Sequence, residues 1–358
     1  MVTNADLKGS AKVSDPGAKM NVAVIGLGKI SEAHILGWKR LNDVDLKILV
    51  DSDGARATEK ARDYGVKESG TDFNAVLGRS DIDVVDLVVP HHLHAPYSIA
   101  ALKAGKHVLV EKPVATKLSD AEEMIRTVKS TGKKLMVAEP VRFTPSIQRV
   151  AGMIERNEIG EPFLFTTRGE FYVQPQRFQG AHTGWRGDAE KIGGGVLLES
   201  GIHNIAIGTV LLGEVESVSA IFGKHNRKEL TVEDTISVLF KFKSGVTGQG
   251  SFSWAARWLG GVGLAFTVFG KDGVTGSDAQ SGRIFLEKDA ERKEWTEQTD
   301  GPYHGHFAEI KHFVECIKED KTPLTDAVEE TKNFKVVLAA YESAATGKSV
   351  RVDELKAS

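Results

Sequence analysis

Asn21-Val22-Ala23-Val24-Ile25-Gly26-Leu27-Gly28 is the stretch whose reading decides the fold: an apolar run that reads as a strand, followed by a glycine turn that opens a helix. Outward from it the same alternation recurs as far as Glu139. Short apolar runs near 21–26, 45–51, 84–89, 107–110 and 134–138 are separated by amphipathic stretches, the pattern of parallel βαβ units. Pro140 and Pro145 break the pattern, a helix is expected over about 145–157, and Ile159-Gly160-Glu161-Pro162 marks its end. Beyond that point, Phe163–Tyr172, Val215–Gly223, Thr235–Lys243, Val246–Trp254 and Leu264–Phe269 read as longer strands of a mostly antiparallel sheet, with Lys243-Ser244-Gly245 as one turn. Helices over 304–319 and 325–346 close the chain. The expected fold is therefore α/β: a dinucleotide-binding domain with a parallel sheet over 20–142, then an α+β domain with a large antiparallel sheet over 143–358.

Composition agrees with two cores, since the chain has 358 residues of which 41% are apolar. A net charge of -3, with acids and bases interspersed, provides no basic surface for nucleic acid. The most apolar window, Val196 to Leu212, is interrupted by Glu199, His203 and Asn204, so no membrane span is expected. Cys316 is the single cysteine, which excludes an intrachain disulfide and fits a reducing cytoplasm. Residues 1–19 are polar and small, and read as a disordered leader or arm ahead of the first strand.

The glycine turn proposes a cofactor. Gly26 permits the tight turn and Gly28 lets backbone approach a pyrophosphate; Lys29 and Ile30 then lead into a helix whose amino terminus offers unpaired N–H groups. Ser31 is small enough to keep helix and strand in close packing. Asp51 ends the second strand 23 residues past Gly28, where a carboxylate can accept from both ribose hydroxyls and repel a 2'-phosphate. Because no arginine follows it, NAD is expected in preference to NADP, although the neutral Ser52 leaves NADP open. Alternatively, Asp51 opens the turn Asp51-Ser52-Asp53-Gly54.

Val108-Leu109-Val110-Glu111-Lys112-Pro113 proposes a catalytic group, because a charged pair stands at a strand's carboxyl end, where open α/β sheets place their chemistry. A partly desolvated Lys112 can donate to a developing alkoxide; a strand-end salt bridge with Glu111 is the plainer reading. In Gly193-Gly194-Gly195-Val196-Leu197-Leu198-Glu199-Ser200-Gly201-Ile202-His203, Glu199 and His203 share a helix face at i and i+4, a carboxylate placed to orient an imidazole. Trp185-Arg186, with Tyr172 and Gln174, offers the ring faces, guanidinium and amide that suit a sugar; Arg142 and Arg186 could instead fork a carboxylate. His91, His92, His94, His304 and His306 lack the nearby carboxylates of a metal site, so no metal is expected, and His94 reads as a helix-start residue near the cofactor. Trp254, Arg257 and Trp258 read as core or interface residues, and Cys316 as a small buried one.

Gly26-x-Gly28-x-x-Ser31-x-x-His34, Asp51, Pro90-x-x-x-His94, Glu111-Lys112-Pro113, Arg142-Phe143-x-Pro145 and Gly194-Gly195-x-x-x-Glu199-x-Gly201-x-His203 occur in this order. As a set, spanning about residues 20 to 350, they resemble the Gfo/Idh/MocA oxidoreductases, the glucose-fructose oxidoreductase and inositol dehydrogenase group. The resemblance implies a nicotinamide-binding Rossmann domain and a sheet domain that covers the substrate and mediates oligomers, with Pro90, His94 and Glu111 beside the nucleotide. It maps the family lysine onto Lys112 and the active-site histidine onto His203. Glu199 stands where many members have aspartate, and Ala206 where inositol dehydrogenase-like members have another.

The expected activity is NAD(P)-dependent oxidation of a secondary hydroxyl of a sugar, glycoside or polyol, with Lys112 and His203 handling the proton and Glu199 as a further catalytic candidate. The rivals are an enzyme that retains its nucleotide, shuttling hydride between sugars or cleaving glycosides through transient oxidation, and a non-catalytic NAD-binding sensor. A homodimer or homotetramer is expected, because the second sheet has too few helices to cover both faces, with Val246 to Phe269 as the patch.

Overall fold

The computed structural model describes residues 19–174, 184–225, 230–257, 262–278, 283–297 and 305–357. The expected arm, apart from Lys19, lies outside them, as do Trp258 and His304.

In the first half, β1 (Met20–Ile25), β2 (Val44–Val50), β3 (Glu68–Gly70), β4 (Val84–Leu87), β5 (His107–Glu111) and β6 (Leu135–Ala138) form an all-parallel sheet in the order β3-β2-β1-β4-β5-β6. The helices between them are α1 (Ser31–Lys39), α2 (Gly54–Tyr64), α3 (Phe73–Leu77), α4 (His94–Lys103) and α5 (Leu118–Thr131). β4 and β6 are buried at every position because helices cover both faces of the sheet. The strand order reverses between β1 and β4, which opens a crevice at their carboxyl ends. β3 escapes sequence reading: three residues at a sheet edge carry no periodicity.

Past α6 (Pro145–Glu155) and β7 (Pro162–Glu170), the short α7 (Ala189–Ile192) leads to a π turn over Leu197–Gly201 and then α8 (Ile202–Leu212). The run 189–212 is long and apolar enough to cross a membrane, but here it is a core helix with most of its surface buried in the fold. β8 (Val215–Gly223), β9 (Thr235–Phe242), β10 (Thr247–Ser253), β11 (Val262–Gly270), β12 (Val274–Asp278), β13 (Arg283–Lys288) and β14 (Glu291–Thr296) follow. With β15 (Val350–Arg351) they build a nine-stranded sheet, β14-β13-β12-β11-β7-β10-β9-β8-β15, antiparallel except where β10 runs parallel to β7. β14, whose Glu-Arg-Lys-Glu-Trp-Thr has no apolar alternation, is a further strand that sequence pattern passes over.

α10 (Ala327–Thr346), α8 and α6 pack on one face of this sheet, against Phe165, Val238, Phe240 and Phe266. α9 (His306–Lys318), although late in the chain, completes the first half instead: Ile310, Phe313 and Val314 join Val22, Val24, Ile35 and Trp38 in its core.

Candidate active site

A cleft of about 1580 Å³ opens at the carboxyl ends of β1 and β4 and is closed from the other side by residues 184–203 of the second half. Gly26, Gly28, Lys29, Ile30 and Asp51 line one end. Gly26 has φ +90, and a Cβ there would lie 2.3 Å from the Val88 carbonyl oxygen, so the turn requires glycine. Gly28 is different, because a Cβ there would meet nothing within 4 Å. Its bareness leaves space over the turn for an anion to approach the backbone; α1 begins there with no side-chain cap, its first N–H groups, those of Ser31, Glu32 and Ala33, bonding back to the carbonyls of Gly28, Lys29 and Ile30. These residues fit a dinucleotide pyrophosphate.

Asp51 shapes the turn that it opens and also braces the glycine loop. Its Oδ1 accepts from the Asp53 N–H at 2.9 Å, shaping the turn, while Oδ2 accepts from the Leu27 N–H at 2.7 Å, tying strand β2 to the glycine loop. One expectation needs correcting: an arginine does follow it. Arg56, in the first turn of α2, places Nη1 3.4 Å from Asp51 Oδ2 and lines the same end of the cleft.

At the other end stand Pro90, His94, Glu111 and Lys112 from the first half, facing Trp185, Arg186, Glu199 and His203 from the second. The Lys112–Pro113 peptide is cis. Lys112 is not paired with the Glu111 side chain; its ammonium donates to the main-chain carbonyl of Glu199. Glu111 turns back instead, accepting the Lys112 N–H at 3.1 Å on one oxygen and His34 Nε2 at 3.0 Å on the other. His34 is fully buried, and its Nδ1 donates at 2.9 Å to Asp86, which also accepts from the Trp38 indole at 2.7 Å. Burial opposes a charge on His34, but Asp86 and Glu111 together hold its pKa well above the ordinary range. Burial likewise opposes ionisation of Glu111, and His34 outweighs it, holding that carboxyl at about 2. The backbone at Lys112 is thus anchored by a buried ion pair. His34, Glu111 and His306 bring donor atoms within 4.8 Å of one another, but His34 commits both ring nitrogens as donors and retains no lone pair for an ion.

His94 sets its ring nitrogens 2.7 Å from the Pro113 carbonyl and 2.9 Å from the Val89 carbonyl; burial lowers its pKa, and a neutral ring has one N–H to donate, so it bonds one of the two carbonyls and packs against the other. His91 meets the Ile192 carbonyl at 2.9 Å and the Trp185 ring edge-on at 4.7 Å, which holds the Trp185-Arg186 segment over the cleft. Arg186 lies 4.2 Å over the Trp185 ring and donates from Nε to Glu199 Oε1 at 2.7 Å.

That bond overturns the expected pairing of Glu199 with His203. The π turn carries Glu199 toward Arg186, and His203, on the first turn of α8, instead donates from Nδ1 to Glu139 Oε1 at 2.6 Å. Glu139 is the residue that sequence reading missed. Its only signal is local: Val137-Ala138-Glu139-Pro140 repeats the strand, carboxylate and proline pattern of Val110-Glu111-Lys112-Pro113. Arg142 and Tyr172 do not line the cleft formed by the described residues. The short helical turn 140–143 aims Arg142 back at Glu330 of α10, Nε to Oε1 being 3.8 Å, and Tyr172 is capped by Arg257, which stacks on its ring at 4.4 Å and donates to its hydroxyl at 2.6 Å.

Residues 20–139 match a family described as "Oxidoreductase family, NAD-binding Rossmann fold", and residues 151–352 match its companion, "Oxidoreductase family, C-terminal alpha/beta domain". D-apiose dehydrogenase of Paraburkholderia graminis is 27% identical over 94% of this chain and 90% of its own. The NAD(+)-dependent scyllo-inositol 2-dehydrogenase of Bacillus subtilis is 27% identical over 95% and 98%. A third relative, 4-carboxy-2-hydroxymuconate-6-semialdehyde dehydrogenase of Sphingobium sp., is 30% identical over 63% and 69%. With both halves of the chain matched and the nucleotide cleft between them, the protein belongs to the Gfo/Idh/MocA family of oxidoreductases.

Proposed function

We propose that this chain is an NAD-dependent dehydrogenase that oxidises a secondary hydroxyl of a sugar, glycoside or polyol. The reading rests on one convergence: Lys112 from the first half and His203 from the second line the same cleft as the glycine turn and Asp51. Relatives that match nearly the whole chain are dehydrogenases of D-apiose and scyllo-inositol.

Nicotinamide bound in the cleft supplies the hydride acceptor. Lys112, tethered at the Glu199 carbonyl, keeps donors free for the reacting oxygen and stabilises negative charge as it develops there. His203, with Nδ1 engaged, presents Nε2 to take the hydroxyl proton. Trp185 offers a flat face for a sugar ring. Glu199 neutralises Arg186, which favours a neutral carbohydrate, because a substrate carboxylate would have to compete for a guanidinium already paired. Arg56 moderates the charge of Asp51, so NADP is a weaker second cofactor.

Screening aldoses, inositols, alkyl glycosides, sugar nucleotides and hydroxy acids for reduction of NAD and NADP tests the reading. Turnover of carbohydrates with tighter binding of NAD is expected. Activity confined to hydroxy acids would overturn the substrate class, and a clear NADP preference would overturn the role given to Asp51. No turnover together with a nucleotide retained through purification would favour a hydride shuttle or a sensor.

A further inference from the structure

Glu139 stands at the end of β6 in the first half, His203 on α8 in the second, and their 2.6 Å bond crosses between the two. Glu139 has no solvent exposure; its Oε1 also accepts from the Val141 N–H at a longer 3.4 Å, and its Oε2 has no hydrogen-bond partner among the described residues, so the imidazole is the principal group that answers its charge. The charged and titratable groups around the pair are Lys112 and Glu199 on the cleft side, Arg142 on the following turn, Glu309 on α9 and Glu330 on α10. Glu309 and Glu330 are both buried acids with Glu139 as a charged neighbour; burial first, and that neighbour among the further causes, push both pKa values up.

We propose that Glu139 is the positioning residue for His203 in the dehydrogenase reaction, and the inference rests on that functional reading. By accepting the Nδ1–H it selects the imidazole tautomer whose lone pair is on Nε2, the nitrogen left for the substrate. The hydroxyl proton passes to Nε2 as hydride leaves the same carbon for the nicotinamide. The imidazolium that forms keeps its Nδ1–H on Glu139 and later releases the Nε2 proton to solvent. A glutamine at 139 can donate its amide N–H to Nδ1, which selects the opposite tautomer and removes the lone pair from the reacting side.

The test uses the full chain labelled with ¹⁵N-histidine and saturated with NAD, with His203→Asn assigning the resonance. The wild type should show His203 protonated at Nδ1, and Glu139→Gln should move it to the Nε2–H form or a mixture. With a substrate from the screen, Glu139→Gln should lose turnover by about 10²-fold to 10⁴-fold, while KM and nucleotide affinity change by less than about threefold. Glu139→Asp, which keeps the carboxylate, should retain the tautomer and recover at least about tenfold of that loss. An unchanged tautomer in Glu139→Gln, or wild-type turnover in it, overturns the proposal. The spectrum needs no substrate, so a tautomer shift in a protein that oxidises nothing in the screen would refute the dehydrogenase reading while leaving the pairing intact; if Glu139→Gln fails to fold, Glu139→Asp and the wild-type tautomer decide.

Discussion

Lys112 shows how one residue's chemistry depends on neighbours that hold its main chain rather than its side chain. Glu111, fixed by His34, accepts the Lys112 N–H, and the ammonium is then free to cross the cleft to the Glu199 carbonyl. Truncating Lys112 removes a donor from the reacting oxygen but leaves the glycine turn and Asp51 untouched. Lys112→Ala should therefore bind NAD with near wild-type affinity and lose turnover by about 10²-fold to 10⁴-fold. Calorimetric titration with NAD beside steady-state kinetics separates the two, and intact turnover in Lys112→Ala would make the lysine structural.

Among the elements, the helix that carries Glu199 and His203 depends most on a group outside itself. Its first turn aims the N–H groups of Gly195 (2.8 Å) and Leu197 (3.1 Å) at the carboxylate of Glu233, which also accepts from the Tyr341 hydroxyl at 2.9 Å. A carboxylate at a helix amino terminus is favourable, but burial outweighs these donors and pushes Glu233 up to about 7. A carboxyl whose pKa is raised on folding contributes most below its unfolded value, near 4.5, and that contribution is lost as pH rises through 7. Between pH 5 and 8 Glu233 should thus lower the unfolding free energy by on the order of 1–3 kcal/mol. Buried His91, His94 and His107, whose pKa values are lowered, act in the opposite direction below about pH 6.5, and Glu330 and Glu309 in the same one, so the share is read from the difference between two proteins. Relative to the wild type, Glu233→Gln should gain stability as pH rises from 5 to 8 in denaturant titrations; an identical profile in the two proteins would refute it.

At the scale of the whole molecule, the described residues place helices on one face only of the nine-stranded sheet. Among the described residues, Val246–Phe269 supplies little of an exposed patch: Val246, Phe252, Trp254, Phe266 and Val268 are buried, while Leu264 is exposed. The bare face instead carries Ile221 (80% exposed) on β8 and Leu239 (57%) on β9, beside a surface cavity of about 1100 Å³. Strict alternation along β9 sends Ile236, Val238 and Phe240 inward and leaves Leu239 outward. Exposed aliphatic residues on an open sheet favour a second copy of the chain as cover. Light scattering at micromolar concentration should find a dimer or tetramer, and Ile221→Lys with Leu239→Lys should give a monomer that still binds NAD; a monomeric wild type would contradict this.

Sequence by itself determined what is local. Strand β1, the glycine turn, Asp51 at a strand end, Lys112 before a proline and His203 on an apolar helix are all legible, because periodicity and turn chemistry act between neighbours a few residues apart. Only the tertiary structure decided partners. His203 meets a carboxylate 64 positions away instead of one four positions away, and Glu111 meets His34 across 77. Arg142 and Tyr172, chemically suited to a ligand, are drawn to Glu330 and Arg257. The physical reason is that a buried charge must find a counter-group wherever packing brings one within reach. That choice is made by how sheets and helices meet, and nothing in the neighbouring residues encodes it.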